Sequence, residues 1–319
     1  MNIRAEIKEL EQSIIEWRRD FHRFPELSFD EHRTSTIIGE ALREMGLAPK
    51  MNVGKTGVTA DLKFGEGPTI ALRADMDALP MQETSGLEFS SQHDGVMHAC
   101  GHDGHMAMLL GTAKVLTQNG DRFNGTVRFI FQPAEEGAGG ARYMIEDGCL
   151  EDVDEIYGIH VWNYQPVGEV GIKDGPVLAA ADMFDIKIKG IGGHGAAPQG
   201  TIDAVVVASH LIQALQTIVS RNTNPLDSTV VTIGKINGGH NFNIIADEVT
   251  LSGTARAYTE ENRQLIKTRM MEIIEGVAKT FGAEIIFDYE DGYPPTINHT
   301  EPTKNVLKAA KRVVGEKAG

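Results

Sequence analysis

The sequence predicts an α/β fold with two domains: a mixed, largely parallel sheet with its helices, and a smaller α+β domain inserted into it. Up to about residue 179, short apolar strands alternate with amphipathic helices. After that, the order of elements changes to one with two helices among four strands. A chain of 319 residues is also long for a single hydrophobic core. We therefore predict a first domain over residues 1–179 and 293–319 and an inserted domain over residues 180–292.

The first domain opens with helices. Apolar residues recur there at steps of three and four, as on a helix with one buried face: Ile7, Leu10, Ile14 and Trp17. A second helix is predicted from about Glu31 to Met45, and Asp103 can cap a third. Strands are predicted over residues 57–62, 69–74, 126–133 and 155–162, and a short helix over 141–148.

The inserted domain shows alternation typical of half-buried strands. Its predicted strands cover residues 180–190, 228–238, 243–258 and 283–292, and its helices cover residues 202–219 and 260–281. The order β-α-β-β-α-β is that of the ferredoxin-like split unit. A further helix is predicted around Pro302, since the first turn of a helix tolerates proline.

Composition excludes some classes of partner. A formal net charge of −15 argues against nucleic acid, which requires a basic face. The longest apolar run, residues 204–219, contains polar side chains and is not expected to span a membrane: Ser209, His210, Gln213 and Gln216. The N-terminal segment lacks an apolar signal-peptide core, and two cysteines fit a reducing compartment. We expect a soluble cytoplasmic protein.

Three separate segments of the sequence carry metal-binding groups, either near the carboxyl end of a predicted strand or just before a predicted helix. HACGHDGH (98–105) carries Cys100 and His102 two residues apart, QPAEEG (132–137) carries Glu135 and Glu136, and GIH (158–160) ends in His160. Thiolate, imidazole and carboxylate are the ligands of zinc and its neighbours. The carboxyl ends of strands in open α/β sheets are where binding crevices form. Together these segments predict a metal site.

Taken singly, most of these residues have a simpler interpretation. Cys149 is expected to be a buried small apolar residue, and paired glutamates more often belong to a solvated face. A histidine at a strand end, such as His160, is more often hydrogen-bonded core. His98 and His105 either support the metal site through hydrogen bonds or take no part in it.

The sequence resembles a known family through these motifs together with LRADMDALP (72–80), DFHRFPELSFDE (20–31) and GGHGAAPQGTIDAV (192–205). It is similar to the amidohydrolase branch of the aminoacylase and carboxypeptidase G metallopeptidases, which includes hippurate hydrolases and hydrolases of indole-acetyl amino acids. The resemblance covers essentially all 319 residues. It implies a two-metal hydrolase whose inserted domain acts as a lid and forms a homodimer.

The resemblance also implies a role for individual residues. The metal ligands would be Cys100, His102, Glu136 and His160, binding two divalent ions of zinc, manganese, cobalt or nickel. Glu135 would be the general base, Asp77 would orient a ligand, and Asp75 would not be a ligand. In the inserted domain, His194 would reach the reacting carbonyl in the partner subunit. Asn243 and Arg256 would hold the substrate carboxylate, although Arg256 is equally well explained as a charge on a sheet face.

These roles describe the hydrolysis of an N-acyl-L-amino acid, either N-acetyl or N-benzoyl, with Glu135 moving the proton from water to the leaving amine. The family's further metal-binding histidine, near the end of the chain in a His-His-Pro-like motif, has no counterpart here. We therefore expect that the chain is a truncation or one part of a longer protein rather than a natural fragment, and that it binds its second metal poorly and has little activity. The alternatives are an N-acetyl-diaminopimelate deacetylase, a dipeptidase, a non-catalytic dimeric binding module, and a redox-active or structural Cys100.

Overall fold

The structure is a computed structural model, and it describes residues 3–120, 123–137 and 139–319. Contacts divide the chain into two compact units, Met1–Pro166 and Val167–Gly319. The sequence placed residues 167–179 and 293–319 in the first domain, whereas the structure places them in the second unit. There they pair with each other, because Gly175–Leu178 forms a ribbon with Thr296–Asn298 and Val170 bridges to Ala318.

The first unit is a five-stranded sheet with helices on both faces. Its elements in chain order are α1 (Ile3–Arg23), α2 (His32–Glu44), β1 (Lys50–Val53), β2 (Gly57–Lys63), β3 (Thr69–Asp75), α3 (His102–Gln118), β4 (Thr126–Gln132), α4 (Gly140–Glu146) and β5 (Glu155–Gly158). The strand order is β1-β2-β4-β3-β5.

The sheet is mixed, as predicted, but the prediction that it is largely parallel is wrong. β4 with β3 and β3 with β5 are parallel, whereas β1 with β2 and β2 with β4 are antiparallel. The unpredicted strand β1 accounts for one antiparallel pair. It is joined to β2 by only three residues, 54–56, and so short a connection permits only an antiparallel pair.

Successive side chains of β4 point to opposite faces of the sheet, and both faces are covered. Phe129 and Phe131 are fully buried in the cluster that includes Phe21 of α1, Leu42 of α2 and Leu110 of α3. The intervening Ile130 belongs to a smaller cluster on the opposite side. Its other buried members are Val53, Ala71, Met144 and Cys149. Cys149 is thus a buried apolar residue, as its sequence context indicated.

The second unit is an antiparallel sheet covered on one face by two helices. Its elements are β6 (Gly175–Leu178), β7 (Ala180–Lys189), β8 (Gly193–His194), α5 (Ala204–Thr217), β9 (Thr229–Gly238), β10 (Ile244–Ile245), β11 (Glu248–Ala257), α6 (Glu260–Phe281), β12 (Glu284–Tyr293), β13 (Thr296–Asn298) and α7 (Thr300–Val314). The main sheet has the order β12-β7-β11-β9. With α5 and α6, these strands follow the predicted order β-α-β-β-α-β.

One helical stretch of the described residues, Ala204–Asn222, is long and apolar enough to cross a membrane by length and composition. Helices from the cores of soluble domains meet the same criterion. α5, which makes up most of this stretch, packs one side into the core of the second unit. Its fully buried residues there are Ala204, Val207, Ala208, Leu211 and Leu215.

Candidate metal centre

The predicted metal ligands converge at one edge of the first unit's sheet. β4, β3 and β5 are adjacent and parallel, so their carboxyl ends share this edge. Glu136 follows the end of β4, His160 follows the end of β5, and Cys100 and His102 lie where α3 begins. His160 lies beyond β5, which ends at Gly158, so the prediction that the strand extends to residue 162 is wrong.

The donor atoms of these residues lie within metal-binding reach of one another. The Sγ of Cys100 is 3.4 Å from the Nε2 of His160, and the Nε2 of His102 is 3.8 Å from a carboxylate oxygen of Glu136. Three sets each have their donor atoms within 4.8 Å: Cys100, His102 and His160; His102, Glu135 and Glu136; and Asp75, His102 and His105. Each set includes His102, which therefore lies at the centre of the site.

Two of these atoms are buried without a hydrogen-bond partner among the described residues, namely the Nε2 of His102 and the Oε1 of Glu136. Leaving a buried polar atom unpaired costs about 1–3 kcal/mol. The Nδ1 of His102 lies 2.8 Å from the carbonyl oxygen of Asp77 and donates to it, so in the neutral ring, which is the form that binds a metal, the lone pair is on Nε2. An acceptor nitrogen and a carboxylate oxygen side by side fit a cation, and the donor set is thus suited to a divalent metal.

The electrostatics of the site favour positive charge. Burial lowers the pKa of His102, but its contacts with Asp77 and Cys100 and the charges of Asp75 and Asp77 raise it to about 11. The ring therefore favours a positive charge at Nε2, where a divalent ion would replace the proton. The neighbouring rings of His102 and His160 lower the pKa of the Cys100 thiol and so favour the thiolate, which is the form that binds metals.

Asp77 fixes the loop that carries the two glutamates. Its Oδ1 accepts from the backbone N–H of Glu135 at 2.9 Å, and its Oδ2 accepts from that of Glu136 at 3.0 Å. The hydroxyl of Ser28 donates to the same Oδ2 at 2.7 Å. Burial raises the pKa of Asp77, but these bonds and the one to His102 lower it below its usual value. Asp77 thus contacts both His102 and the loop that presents Glu136.

Glu135 is half-buried beside Glu136. Burial raises the pKa of Glu135, and the neighbouring charges of Glu136 and Asp75 raise it further. A carboxylate destabilised in this way is a better proton acceptor than an exposed one. Its environment therefore differs from that of the solvated glutamates on the surface.

His105 supports the site, whereas His98 has no visible partner. The Nδ1 of His105 is bonded to Asp75, and its Nε2 accepts from the backbone N–H of Val161, next to His160. His98 is buried, and neither ring nitrogen has a hydrogen-bond partner in the described part of the chain. Burial lowers the pKa of His98 to about 4, so its ring is neutral at pH 7.

Asp103 does not cap α3, contrary to the prediction. The helix begins at His102 with Gly101 as its N-cap, and the carboxylate of Asp103 instead accepts from Arg18 and His22, each at 2.8 Å. Both partners come from α1. The carboxylate therefore ties α3 to α1, a contact between distant segments that a local capping pattern does not reveal.

In the second unit, His194 lies on β8, and Asn243 directly precedes β10, the strand that pairs with β8. His194 pairs with Ile244 in the β8–β10 ribbon, and the carbonyl of Asn243 accepts from the N–H of Gly195 at 2.8 Å. The Nδ1 of His194 accepts from the N–H of Ala196 at 3.1 Å, so the ring proton is on Nε2. Arg256 lies near the end of β11 and is half-buried.

Glu31 is a residue whose contribution the sequence did not reveal. Its buried carboxylate accepts from the backbone N–H of Ala134, directly before Glu135. The available signal was weak: the segment PELSFDE places a glutamate where a helix normally begins with serine, threonine, aspartate or asparagine.

Comparisons with known proteins find relatives over most of this chain. The profile of Peptidase family M20/M25/M40 matches residues 71–319. The N-acetyl-L-cysteine deacetylase of Bacillus subtilis is 45% identical over 304 residues, covering 95% of this chain and 73% of that protein. The N-acyl-L-amino acid amidohydrolase of Geobacillus stearothermophilus is 43% identical over 302 residues, covering 94% and 81%.

A solved structure extends the comparison to the fold. The YXEP protein of Bacillus subtilis, described as a dinuclear metal-binding peptidase of the M20 family, superposes with a TM-score of 0.83 at 39% identity. The match covers 98% of this chain and 82% of that one. With the metal-binding donor set on the sheet edge and the profile match over most of its length, the chain belongs to Peptidase family M20/M25/M40.

Proposed function

We propose that this protein is a metal-dependent amidohydrolase that cleaves N-acyl-L-amino acids into a carboxylic acid and a free amino acid. The observation that carries the proposal is the pair of unpartnered buried atoms on His102 and Glu136, with Glu135 beside them. Family members that are 43–45% identical are named for the hydrolysis of N-acyl amino acids, which supports this substrate class.

Cys100, His102, Glu136 and His160 would hold the metal, which is zinc, manganese, cobalt or nickel by the chemistry of these donors. A bound divalent ion lowers the pKa of water and polarises a carbonyl group. His102 belongs to every set of donors and has a single free ring nitrogen. We therefore expect one tightly held ion and a second that is held more weakly.

Glu135 would move the proton. The oxygen of water bonds to the amide carbonyl carbon while Glu135 accepts the proton of that water, and Glu135 then donates it to the leaving nitrogen as the C–N bond breaks. The products are the carboxylic acid and the amine. Asp77 supports this transfer because it fixes the backbone of Glu135.

His194, Asn243 and Arg256 would bind the substrate. In the partner subunit's active site, the proton on the Nε2 of His194 would be donated to the oxygen that gains charge during attack. Arg256 makes no ion pair among the described residues, which leaves its guanidinium able to bind a free carboxylate. The substrate's carboxylate is what distinguishes an acyl-amino acid from a simple amide.

The proposal extends to assembly and location. The second unit would act as a lid and form the homodimer, with β9 as an edge strand of its sheet that is able to pair with another chain. The acidic net charge of −15 supports a small-molecule substrate rather than nucleic acid. We propose a cytoplasmic enzyme without a membrane partner.

The test is amine release from a panel of N-acetyl and N-benzoyl amino acids, first with chelator and then with each metal restored. Glu135→Gln should abolish turnover but retain metal and substrate binding, while the exposed Glu66→Gln serves as the matched control. Release that continues in Glu135→Gln would contradict the assigned role. If no substrate of the panel releases amine, with or without added metal, the result would favour a non-catalytic binding module.

A further inference from the structure

The loop with the two glutamates begins in a conformation that residues with a side chain rarely adopt. Ala134 has a φ of 51°, in the left-handed region, which costs free energy for any residue with a Cβ. Gly140 returns close to the start of the loop, because its N–H donates to the carbonyl of Ala134 at 3.0 Å. A Cβ on Gly140 would lie 1.8 Å from the carbonyl oxygen of Pro133. The surrounding structure must therefore hold this turn in place.

Glu31 helps to keep this loop in place. Its side chain is 0% exposed, and its Oε1 accepts from the N–H of Ala134 at 2.8 Å, while the hydroxyl of Thr56 donates to its Oε2. Glu31 occupies the N-cap of α2, yet it makes no side-chain hydrogen bond to the amides of that helix. The carboxylate thus serves the distant loop instead of its own helix.

Together, two buried carboxylates accept three consecutive amides of the loop. Ala134 donates to Glu31, and Glu135 and Glu136 donate to the two oxygens of Asp77. Since Ala134 comes first, its conformation sets the direction in which the following two side chains leave the backbone. Without Glu31, Ala134 would lose one of the hydrogen bonds that hold it in the left-handed conformation.

We infer that Glu31 is a positioning residue, which holds Ala134 in the left-handed conformation that directs Glu135 and Glu136 into the metal centre. The expected effect of Glu31 on turnover rests on the proposed function. Its effect on metal binding through Glu136 can be measured without any substrate.

The test compares three variants. Glu31→Met has similar length and no acceptor. Glu31→Gln keeps a carbonyl oxygen for the N–H of Ala134, and its amide can donate to the Thr56 hydroxyl. Thr56→Val is the matched control, because it removes the other partner of the same carboxylate and leaves the bond to Ala134. We expect Glu31→Met to bind zinc about 10–100-fold more weakly and to lose kcat/KM by a similar factor. Glu31→Gln and Thr56→Val should stay within about threefold of the wild type.

A second substitution tests the backbone argument directly. Glycine adopts positive φ without a steric cost, so Ala134→Gly in the Glu31→Met background should restore much of the lost zinc affinity. A general loss of stability would not be repaired by a glycine at that position. If Glu31→Met does not fold, Glu31→Asp with and without Ala134→Gly makes the same comparison, since the shorter side chain withdraws the acceptor.

Three outcomes overturn the inference: unchanged zinc affinity in Glu31→Met, equal losses in Glu31→Met and Thr56→Val, or no recovery with Ala134→Gly. The proposed function fails separately. If the wild type releases no amine but the zinc affinities follow the expected order, Glu31 positions the loop and the substrate class is wrong. If turnover is metal-dependent and Glu31→Met leaves turnover and zinc affinity unchanged, only the Glu31 inference fails.

Discussion

The Nδ1 of His105 and the Oδ1 of Asp75 form a buried hydrogen bond of 2.6 Å. On the other side of the ring, Nε2 accepts from the N–H of Val161 at 2.9 Å. The proton is therefore on Nδ1, facing the carboxylate. This ring links the end of β3 to the residue after His160, so a change at Asp75 can reach the metal centre through His105.

We predict that Asp75→Asn weakens zinc binding by about 10–100-fold, because the amide no longer fixes the tautomer that accepts from Val161 next to His160. Zinc titration against a competing chelator measures this effect. Asp61→Asn is the matched control, since Asp61 pairs with Arg128 in the same sheet and has no contact with the site. Equal weakening in both variants would mean that the sheet, not the tautomer, controls affinity.

The sequence was sufficient where structure depends on local pattern. Helix α6 covers Glu260–Phe281, the predicted range, because its cap Thr259 and the glycine at 282 mark both ends. The gathering of Glu136 and His160 was also predictable, because adjacent parallel strands bring the residues after their carboxyl ends to a common edge. Cys100 and His102 were expected in the same cluster because a cysteine and a histidine two residues apart lie directly before a predicted helix.

Contacts between distant segments were not predictable in this way. Nothing near Glu31 in the sequence indicates a bond to a residue 103 positions later. Asp103 was predicted as a helix cap because it stands at the start of a helix. Its actual partners lie on α1, more than 80 positions earlier in the chain, and local sequence does not reveal them. β5 ends at Gly158 because β3 pairs with it only as far as Arg73, and that limit depends on register rather than on local sequence.

The two cysteines should respond differently to substitution. Cys100→Ser replaces a thiolate donor, so we predict that zinc affinity falls by at least about tenfold, or 1.4 kcal/mol, and that manganese affinity falls less. Cys149→Ser is the matched control, since its thiol is buried in an apolar cluster. It should reduce stability while leaving zinc affinity unchanged. A loss of zinc affinity in Cys149→Ser, or none in Cys100→Ser, would remove Cys100 from the ligand set.

The second unit depends on a buried ion pair between Arg263 and Asp182, with an N–O distance of 2.7 Å. We predict that Arg263→Met lowers the free energy of unfolding of this unit by about 3–5 kcal/mol, because it leaves the buried carboxylate without its counter-charge. Arg269→Met on the same helix removes exposed contacts, an ion pair with Glu272 and a hydrogen bond to Asn222, and should cost less than about 1 kcal/mol.

Hydrogen exchange locates the effect of Arg263→Met. Peptides from β7, α6 and β12 should exchange faster in this variant, and those from the first unit should not. Trp17 and Trp162, the two tryptophans of the chain, lie in the first unit, so their fluorescence should stay constant until that unit unfolds. Similar losses for Arg263→Met and Arg269→Met would show that burial of the pair contributes nothing.

The same carboxylate should make the second unit sensitive to acid. Burial raises the pKa of Asp182, but hydrogen bonds from Arg263, Tyr289 and the N–H of Gly292 lower it below its usual value. A group with a lowered pKa in the folded state adds stability above its unfolded pKa, about 3.9, and this stability is lost as the pH falls through the folded value. We therefore predict that the stability difference between the wild type and Asp182→Asn is constant from about pH 7 to 5 and shrinks below about pH 4. Urea unfolding at each pH, followed by hydrogen exchange of β7 and β12, measures the difference, and one that grows on acidification would reverse the assigned sign.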